Sequence, residues 1–146
     1  SQPNTLGLVA CRAAYEGGDA WLDELREHIA AARAHVVDRL ASVPGVEAVP
    51  GEGTYLLWLD CTGLLAAAGL RPDELDDFVL EEAGLWLDDG AIFGAGGRGF
   101  TRINVACPRA TLDEALDRLE AAVAALLSRQ ERRAAADRRP PAVPAA

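Results

Sequence analysis

The stretch RGFTRINVACPR, Arg98–Arg109, is the most informative part of this chain for its architecture, because it reads as a strand with an arginine in its middle. Side chains of a strand point alternately to opposite faces of the sheet. One face therefore carries Thr101, Ile103, Val105 and Cys107, and the other carries Phe100, Arg102, Asn104 and Ala106. The pattern places a permanent charge among Phe, Ile, Val and Ala side chains.

Arg102 needs a partner, because a guanidinium on a half-buried face is costly unless it is paired. One explanation is an internal salt bridge to an acidic residue of the chain, and taken alone the arginine favours it. The other is bidentate binding of a ligand carboxylate. The glycine-rich segment GAIFGAGGRG, residues 90–99, directly precedes the arginine and favours the ligand, since it opens space at the edge of the strand.

Composition narrows the class of protein. The chain has 146 residues, half of them hydrophobic, which is enough for one domain with a core. Its net charge of −9 argues against nucleic-acid binding. No apolar run approaches the ~20 residues of a membrane span, and no signal peptide is visible. The cysteines Cys11, Cys61 and Cys107 form no CxxC pair, so we interpret them as buried, reduced thiols of a cytoplasmic protein.

Hydrophobic periodicity and turn residues predict an alternating set of helices and strands. Helices are expected at 5–16, at 20–42 with Asp19 as its cap, at 72–83, and after a Thr111–Glu114 capping box; strands are expected at 46–49, 54–60, 85–90 and around Arg102. The apolar run 54–60 suits a strand buried on both faces. Residues 63–69 suggest one helical turn and a loop. The order predicts an α+β fold, with helices on one face of a small, mostly antiparallel sheet.

Four other features have simpler explanations than a site. His28 and His35 lie seven residues apart on one helix without a third ligand, so a surface-helix role is favoured and no metal site is predicted. Cys107 beside Arg109 is better explained by burial than by a reactive thiol. The acidic residues between 73 and 82 fit a solvated helix face. Segment 90–99 has no lysine and leads into a strand, so it is not a phosphate-binding loop.

Three segments together resemble a known family: AAYEGGDAWLDEL, GEGTYLLWLD and GAIFGAGGRGFTRINVACPRATLDEALDRL. They are similar to the C-terminal part of fold-type I pyridoxal-phosphate (PLP) enzymes, the class I/II aminotransferase superfamily. Within it, the GTYLxWLD segment points to the cystathionine β-lyases of the MalY/PatB type. The resemblance covers residues 3–127. It implies a PLP cofactor, an amino-acid substrate, a homodimer, and the small-domain fold of these enzymes, a relative of three-layer α/β folds with a long linking helix.

The resemblance also implies a site. By position, Arg102 would bind the α-carboxylate of the substrate, and Asn104 on the same face would help to hold it. The turn Gly53, Thr54 and Tyr55 and the loop that begins at Gly94 would border the substrate side chain. The implied reaction is C–S β-elimination, which gives pyruvate, ammonia and a thiol. There are two alternatives to a part of a C–S lyase. The chain is a part of a PLP-dependent aminotransferase, or it is a lysine-less domain used for binding or assembly.

The chain departs from the family in one decisive respect. All 14 of its basic residues other than histidine are arginines, so it has no lysine to carry the cofactor, and by itself it is predicted to be inactive. The family pattern places that lysine upstream of this sequence. We therefore expect residues 1–18 to be the end of a large PLP domain, residues 19–128 to be the small domain, and residues 129–146 to be a helix extension that becomes a disordered tail.

Overall fold

The computed structural model describes residues 2–137. Its helices are α1 Thr5–Gly17, α2 Asp19–Leu40, α3 Thr62–Ala68, α4 Leu75–Asp77 and α5 Arg109–Asp137; its strands are β1 Glu47–Val49, β2 Leu56–Asp60, β3 Asp88–Asp89 and β4 Phe100–Asn104. The connections include short 3-10 turns at Pro72–Glu74, Gly90–Phe93 and Ala95–Gly97, and a π-helical turn at Phe78–Glu82. None of the helices among these residues is both long and apolar enough to cross a bilayer.

The four strands form one sheet in the order β1-β2-β4-β3, and every neighbouring pair is antiparallel. In the central pair, Trp58 lies opposite Arg102 and Leu57 lies opposite Ile103. This sheet and its helices confirm the predicted α+β fold.

The sheet has an inner face that packs on helices and an outer face that does not. The buried core of the inner face includes Leu57, Leu59, Ile103 and Val105 from β2, β4 and the residue after β4, with Val36, Leu40, Leu64, Leu112, Leu116 and Leu119 from α2, α3 and α5. The prediction that β2 is buried on both faces is wrong. Leu56, Trp58 and Asp60 point to the outer face and are only partly buried, because the helices cover one side of the sheet.

Hydrogen bonds and ion pairs join α2 to α5 beside this core. Nε2 of His35 lies 2.6 Å from Oδ1 of Asp113, and the Arg109 guanidinium lies 2.6 Å from Nδ1 of the same histidine. Partial desolvation opposes ionisation of Asp113, but the bonds from His35 and Arg109 outweigh it and hold the pKa of that carboxyl below its usual range. Arg39 adds ion pairs to Asp117 and Glu120.

His28 is exposed on α2, as the surface-helix interpretation expects, and its Nε2 lies 3.1 Å from the carbonyl oxygen of Cys107. His35 differs from that interpretation, because it is partly buried between α2 and the start of α5. Within residues 2–137, no group of His, Cys, Asp and Glu is arranged to hold a metal ion.

Several element ends differ from the prediction. Helix α5 begins at Arg109, and the Thr111 N–H donates to the Pro108 carbonyl at 3.0 Å, so the predicted capping box does not form. Gly18, not Asp19, is the N-cap of α2. Residues 63–69 belong to a two-turn helix that ends at Gly69.

The predicted strand 85–90 shrinks to the two residues of β3. The Leu85 N–H donates to the Val79 carbonyl at 3.0 Å, which uses it to close the preceding helical turn and not to extend the sheet. Helix 72–83 is present, as a mixture of 3-10, α and π turns. Residues 129–137, expected as a helix extension, continue α5, and the expected disorder of 138–146 lies outside the described residues.

The cysteines differ in accessibility, which corrects the interpretation that all three are buried. Cys11 is exposed on α1, Cys107 is intermediate and Cys61 is buried. Burial raises the pKa of the Cys61 thiol to about 12 from its ordinary 9.0, with a smaller contribution from the neighbouring Asp60 carboxylate. Partial burial also raises the pKa of Cys107.

We expect Cys11 to react rapidly with a disulfide reagent such as DTNB, and Cys61 to react only on unfolding, since the thiolate is the nucleophile.

The folded state holds the Cys61 proton more tightly than the unfolded state. Its contribution to stability is therefore complete below pH 9 and is lost as the pH rises towards about 12. Urea denaturation across that window should show a steeper loss for the native chain than for Cys61→Ala. Rapid modification of two thiols in a folded Cys11→Ser variant would contradict this assignment.

Candidate functional site

One row of side chains crosses the outer face of the sheet. Val49 is opposite Trp58, Trp58 is opposite Arg102, and Arg102 is opposite Asp88, so the row takes one residue from each strand. Residues opposite each other in a ladder point to the same face. The alternation predicted for β4 is therefore confirmed, and Arg102 lies on the face that no core helix covers.

Arg102 has a partner inside the chain. Its Nη2 and Nε atoms lie 2.6 and 3.1 Å from the same atom, Oδ2 of Asp88. The side chains of Arg102 and Asp88 remain 24% and 48% exposed. The ring of Phe93 lies over the guanidinium, with its centroid 4.4 Å from the central carbon. The internal salt bridge, one of the two explanations that the sequence left open, is thus present.

This salt bridge does not use all the donors of Arg102. A guanidinium has five N–H groups in a planar fork. Asp88 accepts from the Nε edge, and none of the residues 2–137 accepts a hydrogen bond from Nη1. The Nη1–Nη2 end, which has the geometry for a second carboxylate, is therefore available to a ligand.

The glycine-rich segment positions Phe93 by bringing two stretches of backbone into contact. A Cβ added to Gly90 would lie 2.2 Å from the carbonyl oxygen of Gly97, and a Cβ added to Gly97 would lie 2.0 Å from that of Gly90. Gly94 ends the first turn with φ +122°, a conformation that favours glycine. The same backbone also lies close to neighbouring side chains: a Cβ added to Gly90 would lie 3.0 Å from Cβ of Phe100, and one added to Gly99 would lie 3.3 Å from Cδ1 of Leu65.

Arg102 and Phe93 are in contact, and each lines a separate depression. A groove of about 460 Å³ lies between the β3–β4 edge of the sheet and α5, and its lining includes Arg102, Asp88, Asn104, Ile103 and Leu112. An aromatic cleft of about 340 Å³ is lined by Val49, Trp58, Phe93, Phe100 and two glycines. Trp58 packs edge-to-face on Phe93 with centroids 5.3 Å apart. The outer face thus offers a cation beside apolar surface, a combination suited to an amphipathic small molecule.

Asn104 lines the groove of about 460 Å³, two residues beyond Arg102 on the same face. Its Oδ1 accepts a hydrogen bond from the Ala106 N–H at 2.8 Å, which ends the strand. The structure therefore places Arg102 and Asn104 together, with Gly94 directly after the Phe93 that covers the arginine.

The turn Gly53, Thr54 and Tyr55 adjoins the Asn104 end of this group and lies away from Arg102. The Tyr55 carbonyl accepts from the Val105 N–H at 2.9 Å. Thr54 is four residues from Trp58, the residue opposite Arg102, which is on the order of 13 Å along the strand direction. Arg33 of α2 holds the turn by donating to the carbonyls of Gly53 and Thr54 at 3.1 and 3.3 Å. Thr54 has φ +63°, a strained conformation for a β-branched residue. The structure brings no contact between this turn and Arg102.

Sequence reasoning missed Asp88, Phe93 and Trp58. Strand alternation assigns Arg102 to a face but does not give the register that sets Trp58 and Asp88 beside it. Phe93 belongs to the glycine-rich segment 90–99, but nothing in that segment indicates that its ring contacts Arg102. The single signal for Asp88 was its place in LWLDDG, a predicted strand that could neighbour the arginine.

Comparison with known proteins gives a consistent result. No family model matches the chain. It is 36% identical over 121 residues to cystathionine β-lyase PatB of Bacillus subtilis, covering 82% of this chain and 30% of that protein. It is 35% identical over 132 residues to MalY of Escherichia coli, covering 86% and 32%. Cystalysin of Treponema denticola, a PLP-containing structure, superimposes with a TM-score of 0.78 at 35% identity over 86% and 32% of the two chains.

The chain therefore spans about 30% of the length of the curated relatives that it matches. Aminotransferases also occur among the relatives, at lower identity. The residues present do not fit covalent attachment of PLP, because the chain has no lysine. What they fit is recognition of a carboxylate.

Proposed function

Since the chain is homologous to about a third of the MalY/PatB-type cystathionine β-lyases, enzymes of PLP-dependent fold type I, we propose that it is the carboxylate-binding C-terminal domain of a C–S β-lyase. The observation that carries the proposal is Arg102. Its guanidinium is held by Asp88 and Phe93 on the outer face of the sheet, with its Nη1–Nη2 end directed to no residue of the described chain.

In this proposal, Arg102 binds the α-carboxylate of an amino-acid substrate through two parallel hydrogen bonds. Fixing the carboxylate at one end fixes the orientation of Cα, which a reaction at the neighbouring bonds requires. Asn104 borders the same groove, and the loop at Gly94 places Phe93 beside it. The turn Gly53–Tyr55, at the far end of β2, borders longer substrate side chains.

The overall reaction proposed for the complete polypeptide is cleavage of the C–S bond of a cysteine S-conjugate such as cystathionine, giving pyruvate, ammonia and a thiol. Transamination is the second candidate, because the carboxylate-binding arginine serves either reaction equally and aminotransferases are among the relatives. PLP would be attached through a lysine outside this chain.

The rest of the polypeptide would pack on α1 and the adjoining part of α2. No residue of α1 is buried, and Leu6, Leu8, Val9 and Tyr15 are each more than half exposed. Trp21, near the start of α2, is 67% exposed. An apolar surface of this kind indicates a missing partner. We therefore propose that residues 1–18 end the large domain and residues 19–128 form the small one, in a homodimeric enzyme.

We also propose a cytoplasmic location. It is supported by the three free cysteines, which are typical of a reducing compartment.

The proposal is tested by assaying the complete polypeptide, supplied with PLP, on L-cystathionine. We expect pyruvate in amounts equal to the thiol released, and none from the 146-residue chain alone. Borohydride reduction in the presence of PLP should label no internal peptide of this chain, because arginine is not nucleophilic near neutral pH. In the activity assay, an amino-acid product that forms only when a keto acid is added would establish that the enzyme is an aminotransferase. In the labelling experiment, a reduced PLP adduct inside this chain would contradict the proposal that PLP is attached to a lysine outside it.

The proposed interface makes a separate prediction for the isolated chain. Each exposed apolar side chain of α1 gains ~1.5–3 kcal/mol when it is fully buried, so we expect the chain to self-associate through this helix. Deleting residues 1–17 should give a more monomeric domain that stays folded, since α1 contributes nothing to the core. Light scattering on both chains measures the difference. A monodisperse, monomeric full chain with residues 5–14 protected from hydrogen exchange would place α1 within this domain instead.

A further inference from the structure

Within residues 2–137, the Arg102–Asp88 pair leaves one nitrogen of the guanidinium and one oxygen of the carboxylate without a hydrogen-bond partner. Both hydrogen bonds from the arginine end on Oδ2 of the aspartate. Neither Oδ1 of Asp88 nor Nη1 of Arg102 forms a hydrogen bond with any residue between 2 and 137. Both side chains are among the residues that line the groove of about 460 Å³, so this groove has a negatively charged acceptor and a positively charged donor in its wall.

An α-amino acid carries the complementary pair of charges at short spacing. Its nitrogen and its carboxyl carbon are both bonded to Cα, which puts them about 2.5 Å apart. Nη2 of Arg102 and Oδ2 of Asp88 are separated by a similar 2.6 Å. A zwitterion that lies alongside the pair can direct its carboxylate at the guanidinium and its ammonium at the aspartate. Each charge of the ligand and of the pair is then next to charges of opposite sign.

We propose that Arg102 and Asp88 together form a recognition site for zwitterionic α-amino acids, which selects them over simple carboxylates. This rests on the proposed function, in which Arg102 binds the substrate carboxylate. It adds a binding role for Asp88, whose carboxylate accepts the substrate ammonium as the amino acid enters.

The selectivity follows from the charge balance of the site. Arg102 is already neutralised by Asp88, so a carboxylate without an ammonium brings a second negative charge next to the aspartate. For such a ligand, no attraction to Asp88 offsets that repulsion. For the zwitterion, attraction between its ammonium and Asp88 replaces the repulsion, and both ligands keep the same contact with Arg102.

The test compares L-alanine with propionate, which differ only in the amino group, as ligands of the 146-residue chain. Binding is followed by NMR through the side-chain Nε–Hε signal of Arg102, near neutral pH. We expect L-alanine to bind about threefold more tightly than propionate, an effect in the range of exposed ion pairs. In Asp88→Asn, which keeps the size and one acceptor oxygen, this ratio should fall to about one, with propionate bound more tightly than by the native chain.

Two further variants separate the possible failures. Asp73→Asn removes another exposed aspartate that pairs with an arginine, Arg71, and should leave the ratio unchanged. Arg102→Ala, followed through neighbouring backbone signals, should lose both ligands. If both ligands bind the native chain equally, or if Asp88→Asn leaves their ratio intact, Asp88 has no such role while carboxylate binding stands. If the native chain binds neither ligand, or if the Arg102→Ala variant still binds both, the proposed function is wrong as well.

Discussion

Replacing Arg102 by alanine in the complete polypeptide is expected to raise KM for the amino-acid substrate by roughly 30-fold to several thousand-fold, while PLP binding stays normal. Loss of one partner of a hydrogen-bonded charge pair costs about 2 to 5 kcal/mol, and each ~1.4 kcal/mol is a factor of ten. The loss should fall mainly on KM, because the arginine contacts the carboxylate both before and during the reaction. Steady-state kinetics with cystathionine, together with the absorbance of bound cofactor, measure both effects.

Lysine should rescue little at position 102. It carries the same charge but lacks the planar fork, so it cannot make two parallel hydrogen bonds to a carboxylate while a second edge is bonded to Asp88. Arg71→Ala is a matched control, because Arg71 also pairs with an aspartate, Asp73, and should leave KM unchanged. Near-normal kinetics for Arg102→Ala would mean that the Asp88 salt bridge is the whole role of this arginine.

The second large effect concerns stability and involves Gly45. This residue has φ +76°, and a Cβ placed on it would lie 2.3 Å from the backbone nitrogen of Leu64. The same nitrogen donates to the Gly45 carbonyl at 2.8 Å, so the turn before β1 and the start of α3 are in direct backbone contact. Gly45→Ala should therefore destabilise the chain by about 2 to 5 kcal/mol, the sum of a left-handed conformation and an overpacked contact.

Gly69→Ala provides the comparison that separates these two contributions. Gly69 has a similar φ of +65°, but nothing lies within 4 Å of its added Cβ. The Gly69→Ala variant should lose only about 1 to 2 kcal/mol of its free energy of unfolding, the cost of the left-handed conformation alone. Urea denaturation followed by circular dichroism gives both values. Equal losses for the two variants would show that the turn and α3 can move apart without cost.

The sequence was most informative where a periodic pattern reflects burial on one side. In β4, alternation identified Thr101 and Ile103 as one face and Arg102 as the other, and the structure has this arrangement. In β2 the same reasoning failed, because Leu56 and Trp58 are apolar yet lie on the outer face, where Phe93 and Phe100 pack on Trp58. An apolar side chain does not reveal which element covers it.

The candidate site was predictable in part for a related reason. Arg102 and Asn104 stand out from a single strand, so one segment was enough to find them. Asp88 becomes their neighbour only through the pairing of β3 with β4, and β3 is two residues long, too short for a pattern. The Thr111–Glu114 pair matches a capping box, but α5 begins two residues earlier, at Arg109, and the Thr111 N–H donates to the Pro108 carbonyl within its first turn.

The separation of the sheet into a packed face and an open face has a consequence for how this domain can diversify. Alternate residues of β2 and β4 lie in different surroundings. Leu57, Leu59 and Ile103 are buried in the core, whereas Trp58 and Arg102, with Asp88 of β3, lie on the open face where we propose that the ligand binds. Substitutions on the open face remove few core contacts, so most of them cost little stability. New ligand preferences can therefore arise by exchanging Val49, Trp58 or Asp88 one at a time, on a framework that tolerates each intermediate. A scaffold with this division of labour is a favourable starting point for evolving or engineering altered substrate ranges.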